Sequence, residues 1–325
     1  MKEPEDIGAH FERSGGAVVE EATEGATSGI GLETARALYQ RGYHVVLACR
    51  DTAKCGKVVE ELAAEGEQAV SPGSAECMVR VAFYQFPSVD LTSLQSVRDF
   101  AEEFKQKRQP LHLLINNAGI YSPPYGETKD GFESQFGVNY LSHFLLTHLL
   151  LDKLKESAPA RIINVSSRAH TMANLDFDNL QSKRNYSRYT AYSRSKLAQV
   201  LHANKLQRRL EGSGVTICAL HPGVVNTSLW RDLPGPLKYI AYGLGSVFFK
   251  TPAQGAETTI WAATADELEG VGGKYYSDCR EIPSSAQSRD IEAQDKLWRA
   301  SLELVGLPAE EDETEAEKKE EDTTH

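Results

Sequence analysis

Gly25-Ala26-Thr27-Ser28-Gly29-Ile30-Gly31 runs directly into Leu32-Glu33-Thr34-Ala35-Arg36-Ala37-Leu38-Tyr39-Gln40-Arg41-Gly42, and His44–Ala48 follows as a short apolar run. The middle stretch reads as a helix, with Ile30, Ala35 and Leu38 on one stripe and Gly42 as its C-terminal stop. His44–Ala48 reads as a buried strand. A strand, a glycine turn, a helix and a strand in series make a dinucleotide-binding unit. The glycines permit a tight turn and close approach of a pyrophosphate, and the helix N-terminus adds N–H groups and a positive dipole end. Alone, such a pattern is weak, because turns everywhere use glycine.

The strand before the turn is anomalous. Val18-Val19 is followed by Glu20, Glu21 and Glu24. A central parallel strand is covered on both faces and should be nearly all apolar, and three glutamates are expensive to bury. Either this strand is short and distorted, or the start of the chain is an altered version of a better one.

Working outward, Asp51–Gly66 reads as a charged helix. Residues 71–86 read as an irregular loop leading into a strand that ends at Val89-Asp90-Leu91. Ser93–Lys107 is amphipathic, with Leu94, Val97, Ala101 and Phe104 on one stripe. Leu111–Ile115, Arg161–Val165 and Val215–Leu220 are buried strands. Asp130–Ser157 reads as one long helix, Ala191–Leu210 and Pro252–Thr264 as two more, and Lys274–Asp278 as a last strand. This alternation, without a composition break, predicts an α/β fold: one doubly wound parallel sheet, a Rossmann fold, in a single domain over 17–307. Residues 1–16 read as a disordered N-terminus and 308–325 as an acidic disordered tail. Gly25, Arg50, Asp90, Asn117, Ser167 and Pro222 all fall at predicted strand C-ends, where such sheets bind ligands.

Composition narrows the function. The 325 residues carry 35 Lys+Arg against 46 Asp+Glu, a formal charge of −11. Nucleic-acid binding needs clustered basic residues and is not expected. The five cysteines are odd in number and lack a Cys-x-x-Cys, which favours reduced thiols over a disulfide frame. The nine histidines show no ligand spacing, and no metal site is expected. The N-terminal residues do not read as a secretory signal, and none is expected. The apolar stretches Phe144–Leu151 and Tyr239–Phe249 fall short of the roughly 18 residues of a membrane span. A cytoplasmic or membrane-peripheral protein is expected.

Tyr192-Ser-Arg-Ser-Lys196 carries the chemistry. On a helix, residues four apart share a face. Free tyrosine titrates near pH 10, and an adjacent ammonium favours the phenolate and lowers that value. The pair then suits general acid/base work near neutrality.

With these motifs in order, the sequence resembles the short-chain dehydrogenase/reductase superfamily, and within it the retinol-dehydrogenase-like branch. The resemblance spans about residues 17–305 and rests on Gly25-x-x-x-Gly29-x-Gly31, Asn116-Asn117-Ala118-Gly119, Asn139, Ser167, Tyr192-x-x-x-Lys196 and Pro222-Gly223. It implies Tyr192 as the acid/base. It implies Lys196 as the residue that lowers the tyrosine pKa and bonds the nicotinamide ribose. Ser167, rather than the adjacent Ser166, holds the reacting oxygen, and Asn139 keeps a water chain behind the lysine. Gly25, Ser28, Gly29, Ile30 and Gly31 match the phosphate turn. Asp90 and Leu91 match the adenine contact, and Asn117, Ala118 and Gly119 the segment under the adenine ribose. Pro222, Gly223, Val225 and Thr227 match the loop that holds the carboxamide.

Arg50 follows the second strand, where an acidic residue would bond the ribose hydroxyls of NAD. A guanidinium suits a 2′-phosphate, so NADP(H) is favoured, while Asp51 leaves NAD(H) open. The apolar, aromatic segment Leu229–Phe249 points to a lipophilic alcohol or carbonyl substrate of retinoid, steroid or polyprenoid type. It also leaves a peripheral contact with a membrane, such as that of the endoplasmic reticulum, open. Pairing into a homodimer through the two long helices is an analogy with the family. Glu24, where the family has threonine, keeps an alternative in view: a catalytically impaired NAD(P)-binding scaffold.

Overall fold

The computed structural model of the chain describes residues 17–22, 28–69, 88–225 and 249–309. Gly25, Thr227, the loop 71–86 and most of the apolar segment after Leu229 lie outside the described residues. The strands are β1 (Ala17–Ala22), β2 (His44–Cys49), β3 (Leu111–Asn116), β4 (Ala160–Val165), β5 (Val215–His221), β6 (Tyr275–Ser277) and β7 (Arg280–Glu281). The longer helices are α1 (Gly29–Gln40), α2 (Thr52–Ala69), α3 (Leu94–Gln106), α4 (Ser142–Glu156), α5 (Arg188–Arg209), α6 (Pro252–Thr264) and α7 (Ile291–Leu304).

The sheet order is β2-β1-β3-β4-β5-β6-β7. β1 to β6 pair in parallel, and β7 closes the edge antiparallel to β6. The chain steps from β1 out to β2, then returns across β1 to β3. That reversal is the switch point where a crevice opens beyond the strand C-ends. Side chains alternate across the sheet. Leu113, Ile115 and Ile163 pack under α1, α2 and α6, while Leu114, Ile162 and Ala219 pack under α3, α4, α5 and α7. The Rossmann architecture read from the alternation of elements is the one observed.

β1 pairs with β2 along its whole length, from Ala17↔His44 to Ala22↔Cys49. Against β3 its register shifts between Ala17 and Val18. It is therefore irregular, as its glutamates suggest, yet as long as β2. Residues 88–90 form no regular strand, although the Val89 N–H donates to the Cys49 carbonyl at 3.0 Å.

The helix expected over Asp130–Ser157 is broken. A turn at Ser134–Phe136 leads into a π turn at Gly137–Leu141 before α4 begins. A Cβ on Gly137 would stand 2.5 Å from Thr128 Cγ2, so the chain crosses Thr128 only through a glycine. Cys49 and Cys55 are disulfide-bonded, contrary to the reduced thiols expected. Six residues apart, they join the end of β2 to the first turn of α2 with Cα atoms 6.3 Å apart, within bridging reach. The sequence reading had no strand at β7 and no helix at α7. No helix among the described residues is long and apolar enough to cross a membrane.

Candidate active site

The strand C-ends bring the predicted residues to one edge. Ser28 and Gly29 open α1, Arg50 follows β2, and Asp90 follows the segment bonded to Cys49. Asn117 to Gly119 follow β3, Ser167 follows β4, and Pro222 and Gly223 follow β5. The ladder fixes their relative heights through Asn116↔Asn164, Val165↔Leu220 and Leu220↔Tyr276.

α5 delivers Tyr192 and Lys196 to this edge, both buried. Tyr192 is hydrogen-bonded to Ser167 through their side chains. Ser166 is spent elsewhere: its Oγ donates to the Lys196 carbonyl at 2.8 Å. Lys196 Nζ lies 5.7 Å from the Tyr192 ring centroid. It donates to the Val165 carbonyl at 2.8 Å and to Gln199 Oε1 at 3.2 Å. Burial pushes Lys196 down to about 7. Burial also pushes Tyr192 up to about 12, against a smaller lowering by Ser167. This corrects the expectation of a tyrosine pKa below its usual value: desolvation of the phenolate outweighs the lowering by Ser167.

Asn139 sits in the π turn, fully buried. Its Oδ1 accepts from the Ile120 N–H at 2.8 Å, and its Nδ2 donates to the Ile120 carbonyl and to Ser195 Oγ, both at 3.0 Å. Gly119 lies between the asparagine and the lysine. A Cβ there would stand 3.4 Å from Asn139 Oδ1 and 3.6 Å from Lys196 Nζ.

The cofactor-side residues fit a dinucleotide. Gly29 has φ of 66°, open to glycine at no cost. The first turn of α1 carries no acidic residue and the Ser28 side chain makes no cap bond to it, an electrostatic setting that suits an anion. Gly31 is buried against the sheet. Ile30 and the buried Val225 flank Gly255 of α6, where a Cβ would stand 2.6 Å from Val225 Cγ2 and 3.1 Å from Ile30 Cγ1. Gly223 has φ of 96° and is crossed by the Lys250 chain, whose Cδ would be 2.7 Å from a Cβ. Pro222 is buried.

Two of the predicted contacts are modified by the structure. Leu91 is buried in the core, which leaves its backbone to meet a ligand. The Asp90 carboxylate accepts from Thr92 N at 3.0 Å and Thr92 Oγ1 at 2.8 Å, and pairs with Lys129 at 2.8 Å. Burial works against its ionisation, but these bonds hold its pKa below the carboxylate norm. Arg50 is exposed. Asp51 Oδ1 accepts from the Lys54 N–H at 3.0 Å, capping α2.

Several residues at the site were not read from the sequence. Tyr121 meets Tyr192 edge to face at 4.6 Å, and Tyr189 lies 6.2 Å from Tyr121. Tyr275 is buried near Tyr192, its hydroxyl without a partner among the described residues, and burial raises its pKa. His170 packs against Tyr275 at a tilt, with ring centroids 4.5 Å apart. Position two after Asn-Asn-Ala-Gly was a signal available for Tyr121. No signal marked Tyr275, which reaches the site only because β6 joins β5.

A phenol, a serine and a buried amine thus meet at the switch point of a doubly wound sheet, where such sheets bind ligands. The chain belongs to the short-chain dehydrogenase family, whose model, described as short chain dehydrogenase, matches residues 23–236. It is 44% identical to retinol dehydrogenase 12 of Mus musculus over 87% of this chain and 85% of that one. It is 45% identical to retinol dehydrogenase 14 of Homo sapiens over the same shares. Among solved structures, an uncharacterised protein from Mycobacterium paratuberculosis is 32% identical, with a TM-score of 0.69 over 90% of this chain and 95% of that one. The chain is thus an oxidoreductase acting on CH–OH groups with NAD(P).

Proposed function

We propose that the protein interconverts a lipophilic alcohol and its carbonyl partner, of retinoid type, using NADP(H). The observation that carries the reading is the Tyr192–Ser167 hydrogen bond with the Lys196 amine behind it. The retinol dehydrogenases of similar sequence support the retinoid class. The exposed edge of Tyr189 and the Tyr121 ring supply an aromatic wall beside the reacting position.

In this reading Ser167 and Tyr192 hold the substrate oxygen between them. Tyr192 gives it a proton during reduction and takes one during oxidation. Lys196, as the ammonium, steadies the phenolate that forms. The bound nicotinamide supplies or accepts the hydride. Gly29, Gly31 and the first turn of α1 would hold its pyrophosphate. Asn117 to Gly119 would lie under the adenine ribose, and Pro222, Gly223 and Val225, with Thr227, would hold the carboxamide. Positioning is most of what the protein adds, since the cofactor carries the chemistry.

NADP(H) is favoured because Arg50 follows the end of β2, while Asp51, the carboxylate next to it, caps α2. A guanidinium there meets a 2′-phosphate through charged hydrogen bonds. A second reading concerns the substrate tail. The stretches His221–Thr227, Phe249–Thr258 and Ala265–Tyr276 resemble those of the X-chromosome-linked dehydrogenase/reductase, a polyprenol dehydrogenase. We include polyprenoids for that reason. Peripheral docking on a membrane and pairing through α4 and α5 belong to the same proposal.

The test is turnover by the purified protein of retinal, a polyprenal and a short water-soluble aldehyde, each with NADPH and NADH. The reading expects NADPH-dependent reduction of the lipophilic aldehydes. Activity confined to the short aldehyde removes the lipophilic assignment, and absence of all turnover with intact NADPH binding favours a scaffold.

A further inference from the structure

Tyr275 and Tyr276 are neighbours on β6, and each buries a hydroxyl that has no hydrogen-bond partner among the described residues. A buried tyrosine hydroxyl ordinarily finds a partner, because a bare one gives up the bonds it had in water. Two in succession on one strand call for a physical reason. Successive side chains of a strand point to opposite faces of the sheet. Tyr276 packs on the face under α6, its ring edge to face with Trp261 at 5.2 Å. Tyr275 packs on the other face, the one covered by α5, which carries Tyr192.

Tyr275 is fixed from several sides. Its strand pairs with β5 at Ala219↔Tyr275, and its carbonyl accepts from the Ile282 N–H at 2.9 Å. His170 packs against its ring, and both nitrogens of that imidazole are used. Nε2 accepts from the Ser285 N–H at 3.1 Å, which leaves the ring proton on Nδ1, facing the Ser167 carbonyl at 2.8 Å. The imidazole therefore holds the Tyr275 ring in place and cannot satisfy its hydroxyl. It also ties that ring to Ser167, whose side chain bonds the Tyr192 hydroxyl. The groups whose charge acts on Tyr275 are Tyr192 and Arg168, the residue after Ser167. The bare hydroxyl thus belongs to the surroundings of the Ser167–Tyr192 pair and bonds neither member of it.

We propose that Tyr275 is a further catalytic residue, whose hydroxyl the fold leaves bare so that it donates to the reacting oxygen of the substrate as the hydride arrives. The inference deepens the reading of Tyr192 and Ser167 as the pair that holds this oxygen, and rests on it. A carbonyl oxygen has two lone pairs, and Ser167 and Tyr192 take both. As the hydride reaches the carbon, the carbonyl π bond opens and its electron pair passes to the oxygen. The oxygen then has a third lone pair and a developing negative charge, and Tyr275 meets it. Tyr192 still gives the proton, and Tyr275 keeps its own. Burial raises its pKa, so it donates a bond without ionising. A bond made only at that stage speeds the step and leaves substrate binding unchanged. Tyr276 has the same bare hydroxyl on the face away from Tyr192, so a missing partner is not by itself the argument. The face is, and Tyr276 supplies the control.

The experiment is single-turnover reduction of retinal by the full chain preloaded with NADPH, comparing the unaltered protein with Tyr275→Phe, Tyr276→Phe and Tyr192→Phe. Each change removes one hydroxyl and keeps the ring. For Tyr275→Phe the expected result is a hydride-transfer rate about 10- to 100-fold lower. NADPH binding and the retinal concentration giving half the maximal rate should stay within about twofold, since the carbonyl keeps its two bonds. Tyr276→Phe should keep its rate within about twofold. Neither of these two variants loses a bond made in the fold, so both should melt at or slightly above the midpoint of the unaltered protein. A structural role alone does not give a slower step in a protein of undiminished stability. A Tyr275→Phe rate within about twofold of the unaltered one, beside an inactive Tyr192→Phe, overturns this proposal and leaves the acid/base reading standing. So does a melting midpoint lowered in Tyr275→Phe and not in Tyr276→Phe, because the hydroxyl would then be bonded within the fold. Full activity in Tyr192→Phe overturns the reading beneath it, and this proposal with it.

Discussion

Ser167 bonds the Tyr192 hydroxyl while its neighbour Ser166 turns away and donates to the Lys196 carbonyl at 2.8 Å. Two adjacent serines at the end of β4 thus have opposite fates. One faces the crevice, and the other ties the loop to α5. Because Ser166 is buried, its bond is structural in effect.

The two serines should separate cleanly. Ser167→Ala is expected to lower kcat by about 10²-fold or more, with NADPH binding intact, the size associated with losing one preorganised donor. Ser166→Ala is expected to keep kcat within a few-fold and to cost about 1 kcal/mol of stability, measured by urea unfolding. The reverse pattern would assign the oxygen-holding role to Ser166.

Stability should carry the signature of the buried lysine. Its folded pKa, about 7, lies below the 10.5 of an exposed lysine. The unfolded chain therefore binds more protons between these values, and folding stability from this residue rises with pH across that window. The penalty is fully present below about 7 and relieved above about 10.5. Lys196→Met removes this titration. Unfolding free energies of the two proteins should diverge, with the unaltered protein gaining on the variant as pH rises from about 7 to 10. A pH-independent difference would mean that the amine is not held neutral-leaning in the fold.

Arg50 should decide between the two nicotinamide cofactors. Arg50→Ser is expected to raise the NADPH KM by about 10- to 100-fold, the equivalent of about 1.5–3 kcal/mol for bonds to a charged group. The NADH KM should change little. Equal losses with both cofactors would place the 2′-phosphate elsewhere.

Gly255 is where α6 meets both Ile30 of the glycine turn and Val225 of the loop after β5. An added Cβ would lie 2.6 Å and 3.0 Å from the two Val225 methyl groups and 3.1 Å from Ile30 Cγ1. Gly255→Ala should destabilise by about 1–3 kcal/mol. It should also weaken NADPH binding, since Ile30 follows Gly29 in the turn. Thermal melts with and without NADPH test both effects, and a melt shifted by NADPH as much as in the unaltered protein would contradict the second.

Much of the fold was legible because it is written in local patterns. β2 to β5 are short apolar runs, α6 begins at a Thr251–Gln254 capping box with Pro252 in its first turn, and the glycine turn announces α1. The helix over 130–157 was misread as continuous because a π turn at Gly137–Leu141 changes no residue pattern; it is set by the crossing of Thr128 against Gly137. The Cys49–Cys55 bridge was missed because a count of cysteines carries no information on which strand end faces which helix turn. The direction of the Tyr192 shift was misread for a related reason. Spacing puts a lysine beside a tyrosine, but only the packed structure reveals how deeply both are buried. Tyr275 left no signal in the sequence, since it reaches the site only through the pairing of β6 with β5.

The account turns on one proton held at one oxygen, and the most direct measurement is single-turnover reduction of retinal by Tyr192→Phe preloaded with NADPH. The predicted result is NADPH binding within about twofold of the unaltered protein and a hydride-transfer rate lower by at least about 10³-fold, since a ring without its hydroxyl keeps the shape and loses the proton. A variant that binds NADPH and turns over within about tenfold of the unaltered rate would contradict the account.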